Sequence, residues 1–559
     1  MFVMRLRQRL ALPARPRLTA ADGAAFDGWS AAALALGLLA ALPILAILVS
    51  APSGGLDALA HLARTVLGTY IVNTALLMLL AGAIAGLVGT GCAWLVSAAR
   101  FPGRGLLAWA LVLPLAVPAY ISAYVYGDLL DFAGPVQSGL RGAMGLDAGD
   151  YYFPQIRSLG GGAFVLGIAL YPYVYLLARA GFAAQSQTQF RAARSLGAGP
   201  ARAFWRIALP AARPAIAGGL ALVLMEVLAD FGVAEYFAIP TFSTGIFRSW
   251  LAMGDKQAAL KLAAFMLLFV AALVWLEART RTGRTTAKDA SRAQEPLITL
   301  SPAGRIGASF ACALPVVLGF GIPALHLATL AFGDAAVAAS GALGDYARGS
   351  LWLGLATALV SLIAATILAF VRSRSTSAIA RAGIRTATLG YALPGALLAV
   401  GLLAPLGAVD AALTRSLRDM FGYGGGLVLT GTSIVLVYAL SVRFLTVAYN
   451  SVDSGISAIP PSLAAAARSL GAGPSRVLAR IYAPLLSPSL AAAAALVFID
   501  TVRELPATLI LRPFNLETLA TRTYRLASDE RLAEASIPAL ILLAAGLIPV
   551  LLLTRTRSR

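Results

Sequence analysis

Four acidic residues stand within apolar sequence, two in each half of the chain. Glu226 and Asp230 lie in LALVLMEVLADFGVAEYF, and Asp500 and Glu504 lie in LVFIDTVRELPATLIL. An offset of 274 positions maps the first pair onto the second, and the i, i+4 spacing places both members of a pair on one helical face. Carboxylates at membrane depth are costly and usually face a water-filled path or a partner. Their oxygens also suit hard, highly charged cations, so the four residues predict a translocation path or its gate.

A structural role for these carboxylates is the alternative. Glu504 could pair with Arg503 or Arg525, and all four acids could lie at the outer rim against a partner protein. Histidine and cysteine add little chemistry, because the two histidines are far apart in sequence and lack metal-ligand spacing. Cys92 and Cys312 each fall in a predicted span, so no disulfide framework is expected and both should pack as small core residues.

The composition is that of a membrane protein. The chain has 559 residues, of which 59% are apolar and 12% charged, and its mean hydropathy is +0.81. The formal charge of +19 does not indicate nucleic-acid binding, because most arginines stand at the ends of apolar runs and no basic tract is interleaved with aromatic residues.

Twelve apolar runs are long enough to cross a bilayer, six on each side of a polar break. They lie near 30–50, 70–98, 105–127, 161–180, 212–232, 258–276, 306–328, 349–371, 384–406, 425–447, 485–502 and 533–553. The predicted organisation is a cytoplasmic tail (1–29), a first repeat (30–276), a cytoplasmic linker (277–305) and a second repeat (306–559). We therefore expect an all-α, multi-pass protein of two six-helix repeats.

The basic residues predict the orientation. With the N-terminus in the cytoplasm, nearly every arginine cluster falls on the inner side, as the positive-inside rule requires, and the C-terminus is cytoplasmic as well. Both repeats then enter the membrane the same way round, as in a parallel duplication with its axis along the membrane normal. The exception is the outer segment that follows Asp500, which carries five arginines.

A basic segment between spans occurs twice, once in each repeat. The copies read RAARSLGAGPARAFWRIALPAARP, within 186–214, and AAARSLGAGPSRVLARIYAPLLSP, within 460–488, and nine consecutive residues are identical. Alanine favours helix, the Gly-Ala-Gly-Pro turn ends it, and proline suits the start of a second helix. The pattern predicts a helix–turn–helix at the cytoplasmic face, with an amphipathic segment on the lipid headgroups as the alternative.

The spacing of alanine, glycine, isoleucine and proline in both copies resembles the EAA loop of ABC importer permeases. In that family the loop forms a coupling helix that sits in a groove of the ATP-hydrolysing subunit. The positions that match are Ala193, Arg194, Gly197, Ile207 and Pro210 in the first copy, and Ala467, Arg468, Gly471, Ile481 and Pro484 in the second. The leading glutamate of the family is Arg191 in one copy and Ala465 in the other.

Further motifs, LADFG, TFSTGI, RELPAT, LRP and TLAT, are similar to those of fused ferric-iron permeases of bacterial ABC importers. The resemblance covers both halves. It implies an inner-membrane subunit that receives cargo from a periplasmic substrate-binding protein and moves it inward by alternating access. Two copies of an ABC ATPase would bind the ATP and Mg²⁺, with no cofactor bound by this chain. Thiamine, polyamine and phosphonate permeases share the loops and remain alternative functions.

The chain carries no G-x-x-x-x-G-K-[ST] motif to cradle a nucleotide phosphate. It is therefore expected to be a non-catalytic subunit that takes its energy from a partner. A secondary transporter driven by an ion gradient, with the same twelve spans in two repeats, is the alternative from another class.

The five arginines of the outer segment predict a docking surface. With the 274 offset, Thr244 aligns with Thr518 and Arg248 with Arg522, and the second repeat carries more positive charge than the first. Complementary charge would give a two-lobed binding protein one preferred orientation. The docking candidates are Arg512, Arg522 and Arg525; the alternative is internal pairing with Glu517, Asp529, Glu530 and Glu534.

Overall fold

The structure is a computed structural model that describes residues 28–52, 60–147, 149–183, 199–281, 298, 300–333, 340–375, 377–422 and 425–555. Within these ranges the chain is helical and forms no named strand, so the all-α prediction is confirmed. Residues 1–27 of the predicted tail and most of the predicted linker lie outside the described residues.

The main helices described in the first half of the chain are ten. They are α1 (Gly28–Ser50), α2 (Ala60–Ala98), α3 (Arg104–Ala110), α4 (Ala119–Leu130), α5 (Pro135–Met144), α6 (Leu159–Ala183), α7 (Phe204–Ala229), α8 (Gly232–Tyr236), α9 (Phe242–Phe247) and α10 (Lys256–Arg281). Those of the second half are α11 (Pro302–Ala331), α12 (Leu343–Arg374), α13 (Ala378–Ala387), α14 (Gly395–Phe421), α15 (Ser433–Ala458), α16 (Pro461–Ser469), α17 (Pro474–Leu485), α18 (Ser487–Arg503), α19 (Pro506–Leu511), α20 (Leu519–Ser528) and α21 (Leu532–Arg555).

Among the described residues, ten helices are long and apolar enough to cross a membrane, or up to twelve if each of two bent pairs counts as one span. One bent pair joins Arg104–Ala116 to Ala119–Met144 at 90°, and the other joins α17 to α18 at 76°. The prediction of twelve spans therefore holds only with both bent pairs included.

Two predicted spans are not continuous helices. The run near 105–127 leaves the α-helix after Ala110 and resumes it at Ala119, and the run near 384–406 leaves it after Ala387 and resumes it at Gly395. Pro118 and Pro394 adopt extended backbone angles (ψ 135° and 144°) and each precedes the first residue of the new helix. Proline is common at helix starts and cannot continue a helix, so each marks where the next helix begins.

The chain forms two compact units, each assembled from separate stretches. The first unit comprises 1–41, 359–390 and 445–494, of which the described residues pack around an edge-to-face cluster. In this cluster the ring centroid of Phe370 lies 5.0 Å from that of Trp29 and 5.7 Å from that of Tyr482. An ion pair joins Arg372 on α12 to Asp453 on α15 within the same unit.

The second unit comprises 42–358, 391–444 and 495–559 and holds the larger core. Fully buried aromatic side chains, including Tyr124 and Phe231, pack there against Leu505 and the apolar face of α21. Each unit contains helices from both predicted repeats, so the two compact units do not coincide with the two repeats. The division of the chain into two repeats stays a prediction.

The first helix of the second half packs on helices of the first half. On α11, Ser309 donates to the Pro102 carbonyl at 2.9 Å, and the Leu318 carbonyl accepts from the Tyr126 hydroxyl at 2.6 Å. Cys312 is free and buried, as is Cys92 on α2, in keeping with the expectation that both pack as small core residues.

The repeats share an arrangement of short helices that corrects the sequence alignment. Helix α8 follows α7 as α19 follows α18, at the 274 offset. The next helices, α9 and α20, each begin at a threonine capping box, Thr241 with Thr244 and Thr518 with Thr521. Their offset is 277, because the second repeat has three extra residues after α19. Thr244 therefore corresponds to Thr521, and the predicted pairing of Thr244 with Thr518 is wrong.

Within the first unit, α1 and α13 cross at two glycines. A Cβ atom on Gly383 would lie 2.5 Å from the Ala33 carbonyl oxygen, and one on Gly37 would lie 2.6 Å from the Gly383 carbonyl oxygen. Small residues of this kind let helix backbones approach closely in membranes. The crossing therefore depends on the absence of side chains at both positions.

We predict that Gly383→Ala lowers the stability of the purified protein by about 1–3 kcal/mol, because the added methyl forces the two backbones apart. Gly407→Ala on α14 is the matched control, since a Cβ there meets nothing within 4 Å and alanine favours helix. Thermal unfolding followed by tryptophan fluorescence compares the two. Equal unfolding temperatures for the two variants would contradict the close crossing.

Candidate functional site

A cavity of about 210 Å³ lies in the second unit, where α7 and α18 end. All four acidic residues singled out from the sequence line it: Glu226, Asp230, Asp500 and Glu504. Two arginines, Arg443 and Arg503, share the wall. The structure thus brings together two pairs of carboxylates that are 274 residues apart in sequence.

The first-repeat acids are held in different ways. Glu226 belongs to α7 and accepts a hydrogen bond from the Tyr391 hydroxyl at 3.2 Å. Asp230 follows the end of α7 at Ala229, has extended backbone angles, and accepts the N–H of Ala234 in α8 at 3.0 Å. The expectation that the two acids of a pair share one helical face is therefore wrong, because α7 ends between Glu226 and Asp230, and α18 likewise ends at Arg503, before Glu504. Both nevertheless reach the cavity.

Glu504 is the most fully satisfied of the four carboxylates. It accepts the N–H groups of Ala507 (2.9 Å) and Thr508 (3.0 Å) and the Thr508 hydroxyl (2.7 Å). The guanidinium of Arg443 lies 3.2 Å from its Oε1, and the Glu504 side chain is only 2% exposed. A Cβ on Gly395 would lie 2.5 Å from this guanidinium, so glycine makes room for the pair.

The partners expected for Glu504 from the sequence are wrong. Arg503 instead donates to the carbonyl of Leu115 at 2.9 Å, and Arg525 pairs with Glu517 at 2.8 Å. Local sequence cannot reveal Arg443, which lies 61 positions away. Arg443 could nevertheless have been singled out as a candidate site residue. It is the single arginine in the apolar run LVYALSVRFLTV, and an arginine is as unusual at membrane depth as a carboxylate.

Two further polar contacts were missed from sequence. His326 Nε2 lies 2.6 Å from Asp128 Oδ2, so this histidine has a carboxylate partner. Asp410 on α14 is fully buried and accepts the N–H groups of Val428, Leu429 and Thr430, which ties the following loop to the helix. Among the described residues, no three His, Cys, Asp or Glu side chains come close enough to hold a metal ion.

The second coupling segment adopts the predicted helix–turn–helix. Helix α16 ends at Ser469, Gly471 takes the left-handed conformation (φ 80°), and α17 begins at Pro474. The Ala472 N–H bonds back to the carbonyl of Ala467 at 3.0 Å, as at many glycine-terminated helix ends. The side chain of Leu470 is 88% exposed at this turn.

The first coupling segment is described only from Gly199 onward. Ala193, Arg194 and Gly197 lie outside the described residues. Its remaining part forms a short helix, Pro200–Ala203, that leads into α7, where Ile207 and Pro210 lie. Contact of either segment with an ATPase stays a prediction.

The arginines of the outer segment divide into paired and unpaired groups. Arg525 pairs with Glu517 and Arg531 with Glu534, so part of the internal-pairing alternative is realised. Arg512 donates to the Leu516 carbonyl at 2.9 Å, and Arg522 lies over the Tyr346 ring at 5.2 Å. Within the described ranges neither of these last two arginines forms an ion pair.

Comparison with known proteins gives one family match and several relatives. Residues 87–281 match the family described as binding-protein-dependent transport system inner membrane component. The chain is 25% identical to Fe(3+)-transport system permease protein FbpB 2 of Haemophilus influenzae, over 93% of this chain and 96% of that protein. It is 29% identical to sulfate transport system permease protein CysT of Synechocystis, over 36% of this chain and 69% of the relative. It is also 32% identical to molybdenum transport system permease protein ModB of Escherichia coli, over 26% of this chain and 60% of the relative.

We predict that Gly471→Val impairs the second coupling segment, because a β-branched residue in the left-handed region costs about 1–3 kcal/mol. Gly473→Ala is the control, since Gly473 has φ −67° and a Cβ meets nothing within 4 Å at either glycine. The measurement is the amount of ATPase that co-purifies with the membrane-inserted chain. Equal recovery of ATPase with the two variants would contradict a requirement for the left-handed turn.

Proposed function

We propose that this chain is the permease of a ferric-iron importer, because residues 87–281 match the inner-membrane components of binding-protein-dependent transport systems and its likeness to an Fe(3+)-transport permease covers 93% of the chain. The iron would pass from the periplasm to the cytoplasm by alternating access at the central cavity. A separate ABC ATPase would supply the energy, with ATP and Mg²⁺ bound by that subunit. The chain itself would act as a non-catalytic, multi-pass inner-membrane subunit with both termini in the cytoplasm.

The main support for this proposal is the excess of acidic over basic residues in the cavity lining. Four carboxylates and two arginines line it, so the acids outnumber the bases by two. Arg443 is engaged by Glu504, and Arg503 by a backbone carbonyl. Hard trivalent and divalent cations prefer oxygen ligands, above all carboxylates. A small oxyanion would instead meet a surplus of like charge, which opposes its entry.

The extent of similarity supports the same cargo. The likeness to the Fe(3+)-transport permease covers 93% of this chain and therefore both halves. The likeness to the sulfate and molybdenum permeases covers 36% and 26% of the chain. An oxyanion is the second candidate cargo, favoured by these names and by the two arginines in the cavity. Thiamine, polyamines and phosphonates remain further alternatives.

The two coupling segments support two copies of the ATPase as partners, one for each repeat. The second segment presents Leu470 and the basic residue Arg468 at a turn between helices. An exposed leucine beside a guanidinium suits a groove on a protein partner that combines apolar and acidic surface. These contacts would transmit ATP-driven closure to α7 and α18, which continue from the segments to the cavity.

A periplasmic substrate-binding protein is the other proposed partner, and Arg512 and Arg522 are its best-placed contacts. The structural alignment places Gly245 opposite Arg522 and Arg248 opposite Arg525. In the first repeat, Arg248 is 3.2 Å from Glu235 and is thus neutralised like Arg525. Of the described outer arginines at these aligned positions, the two without a carboxylate partner, Arg512 and Arg522, both belong to the second repeat, which would orient an acidic lobe there.

We predict that Arg522→Glu lowers the ratio of binding-protein-stimulated to unstimulated ATPase activity, and that added salt diminishes the difference from the wild type, because screening weakens exposed charge pairs. Arg415→Glu, the same charge reversal on exposed α14 surface, is the control. Activity is measured on the reconstituted complex at low and high ionic strength. An unchanged ratio at low salt would remove Arg522 from the docking surface.

For the cargo, we predict ATP-dependent uptake of radioactive iron into proteoliposomes that hold this chain, its ATPase and its binding protein. Excess sulfate, molybdate, thiamine or putrescine should not compete, because the cavity lining favours a small hard cation. A complex whose ATPase cannot hydrolyse ATP is the control. Uptake of labelled sulfate or molybdate without iron uptake would replace ferric iron by an oxyanion as the cargo.

A further inference from the structure

A tight connection between α2 and α3 lies on the predicted cytoplasmic side and carries two arginines. Gly103 takes the left-handed conformation (φ 74°) in this connection, and Arg104 begins α3. The Arg104 guanidinium turns back and donates from Nε to the Val96 carbonyl in the last turn of α2 at 2.7 Å. Arg100, in the connection itself, is exposed. Two positive charges therefore lie at the inner end of α2.

Two further arginines reach the same connection from other helices of the second unit. Arg179 on α6 donates from Nη1 to the carbonyl of Ala108 on α3 at 3.2 Å. Arg305 lies in the first turn of α11, and Ser309, one turn further along, donates to the Pro102 carbonyl of the connection at 2.9 Å. The inner arginine cluster therefore consists of Arg100, Arg104, Arg179 and Arg305.

The described residues supply no carboxylate to this cluster. The helices that meet here, α2, α3, α6 and α11, contain no aspartate or glutamate, and within the described ranges none of the four arginines forms an ion pair. The carbonyls of Val96 and Ala108 lie in the last turns of their helices, and a helix end contributes about half a negative charge. Two helix ends thus offset at most about one of the four positive charges.

The second repeat shows how such a cluster can be balanced within the chain. At the 274 offset, Arg100 corresponds to Arg374 and Arg179 corresponds to Asp453. Asp453 forms an ion pair with Arg372 at the inner end of α12. An acid therefore supports the arginines of the second repeat, whereas an arginine stands at the same position of the first. The first repeat lacks a negative charge that its counterpart has.

The positive-inside rule explains why arginines stand on this side of the membrane, but it does not explain their burial. Arg104 and Arg179 are half-buried between helices, where an uncompensated charge is costly. A guanidinium has five N–H donors. In the described part of the chain Arg104 uses one of them, and Arg179 uses those of Nη1 for Ala108 and for the Tyr175 hydroxyl. Charge and donors are therefore both available to an anion.

The phosphate of a lipid headgroup matches this arrangement. Its charged oxygens accept paired hydrogen bonds from arginine, and basic pockets between helices on the cytoplasmic side of a membrane bind anionic headgroups. A single headgroup can also enter between helices, where the surface of a folded protein cannot reach. Leu106 on α3 is 68% exposed and offers apolar surface for an acyl chain beside the charges.

We propose that the inner arginine cluster binds the phosphate of one anionic lipid on the predicted cytoplasmic side. The lipid supplies to the first repeat the negative charge that Asp453 supplies to the second. This inference goes beyond the proposed function, because it requires no particular cargo.

The test is native mass spectrometry of the purified full-length chain, titrated in micelles with phosphatidylglycerol or phosphatidylcholine. Both lipids carry the phosphodiester, but only phosphatidylglycerol has a net negative charge. We expect phosphatidylglycerol to bind about tenfold more tightly. The double variant Arg100→Gln with Arg179→Gln should abolish this preference, because it removes two charges and keeps hydrogen-bond donors at both positions.

The matched control is Arg381→Gln with Arg385→Gln, which removes two exposed charges from α13, the helix that follows α12 as α3 follows α2. It should retain the preference for phosphatidylglycerol. Arg100→Gln alone should fold normally, because Arg100 is exposed and its side chain makes no hydrogen bond within the described ranges. It should still weaken phosphatidylglycerol binding several-fold. Unchanged binding in the folded Arg100→Gln variant, or equal losses in the two double variants, would overturn the proposal.

Two further measurements identify other occupants of the cluster. Inorganic phosphate that displaces phosphatidylglycerol at equal concentration would show a site for free phosphate rather than for a lipid. Loss of the co-purifying ATPase from Arg100→Gln, with phosphatidylglycerol binding unchanged, would show a contact with an acidic protein surface. Either result would overturn the lipid site. Iron uptake enters none of these measurements, so their failure leaves the proposed function untouched.

Discussion

Backbone N–H groups exposed where a helix ends inside a membrane must find acceptors, because the bilayer offers no water. Helices α7 and α18 both end beside the cavity, and the short helices α8 and α19 that follow expose their first amides there. Asp230 accepts the N–H of Ala234, and Glu504 accepts those of Ala507 and Thr508. These carboxylates make the two breaks possible, and the breaks in turn open the space that forms the cavity.

A carboxylate in this role accepts the free N–H groups of a helix start and also places an ionisable group within the membrane. In the second repeat Arg443 compensates the charge, and Gly395 leaves the room that the guanidinium needs. In the first repeat Ala169 stands at the position that corresponds to Arg443, so no guanidinium at that position compensates Asp230. Duplication thus supplied a common scaffold, and a few substitutions gave its two halves different electrostatics. The same is true outside the cavity, where Arg522 stands opposite Gly245.

Much of the architecture follows from local sequence. Hydropathy marks nearly all of the long helices, and the duplicated glycine-proline turn predicts the helix–turn–helix of the second coupling segment. The helix starts after Pro118 and Pro394 could have been predicted too, because proline is common at the first positions of a helix and cannot stand within one. The end of α7 at Ala229 could not, since neither proline nor glycine stands there and Gly232 follows only later. Its cause lies in packing, where Gly232 lies against Tyr120 and Leu505 from distant segments.

Pairings across long sequence distances were the least predictable part of the site. The charge on Glu504 made neighbouring Arg503 its natural partner, yet that side chain reaches the Leu115 carbonyl instead. The three extra residues that displace α20 could have been found in the sequence, because TFST and TLAT align over both threonines only at the offset of 277. The paired capping boxes show the same register in the structure.

The close crossing of α1 and α13 bears on how the protein is made. Gly37 leaves the ribosome roughly 350 residues before Gly383, which at about 5–20 residues per second means a delay of about 20–70 s. Throughout that interval the surface of α1 around Gly37 faces lipid or another helix, because α13 has not been synthesised. The nascent chain must therefore tolerate a first helix that lacks its final packing partner. Premature pairing of that helix, with another copy of itself or with a membrane insertase, is the hazard that the order of synthesis creates.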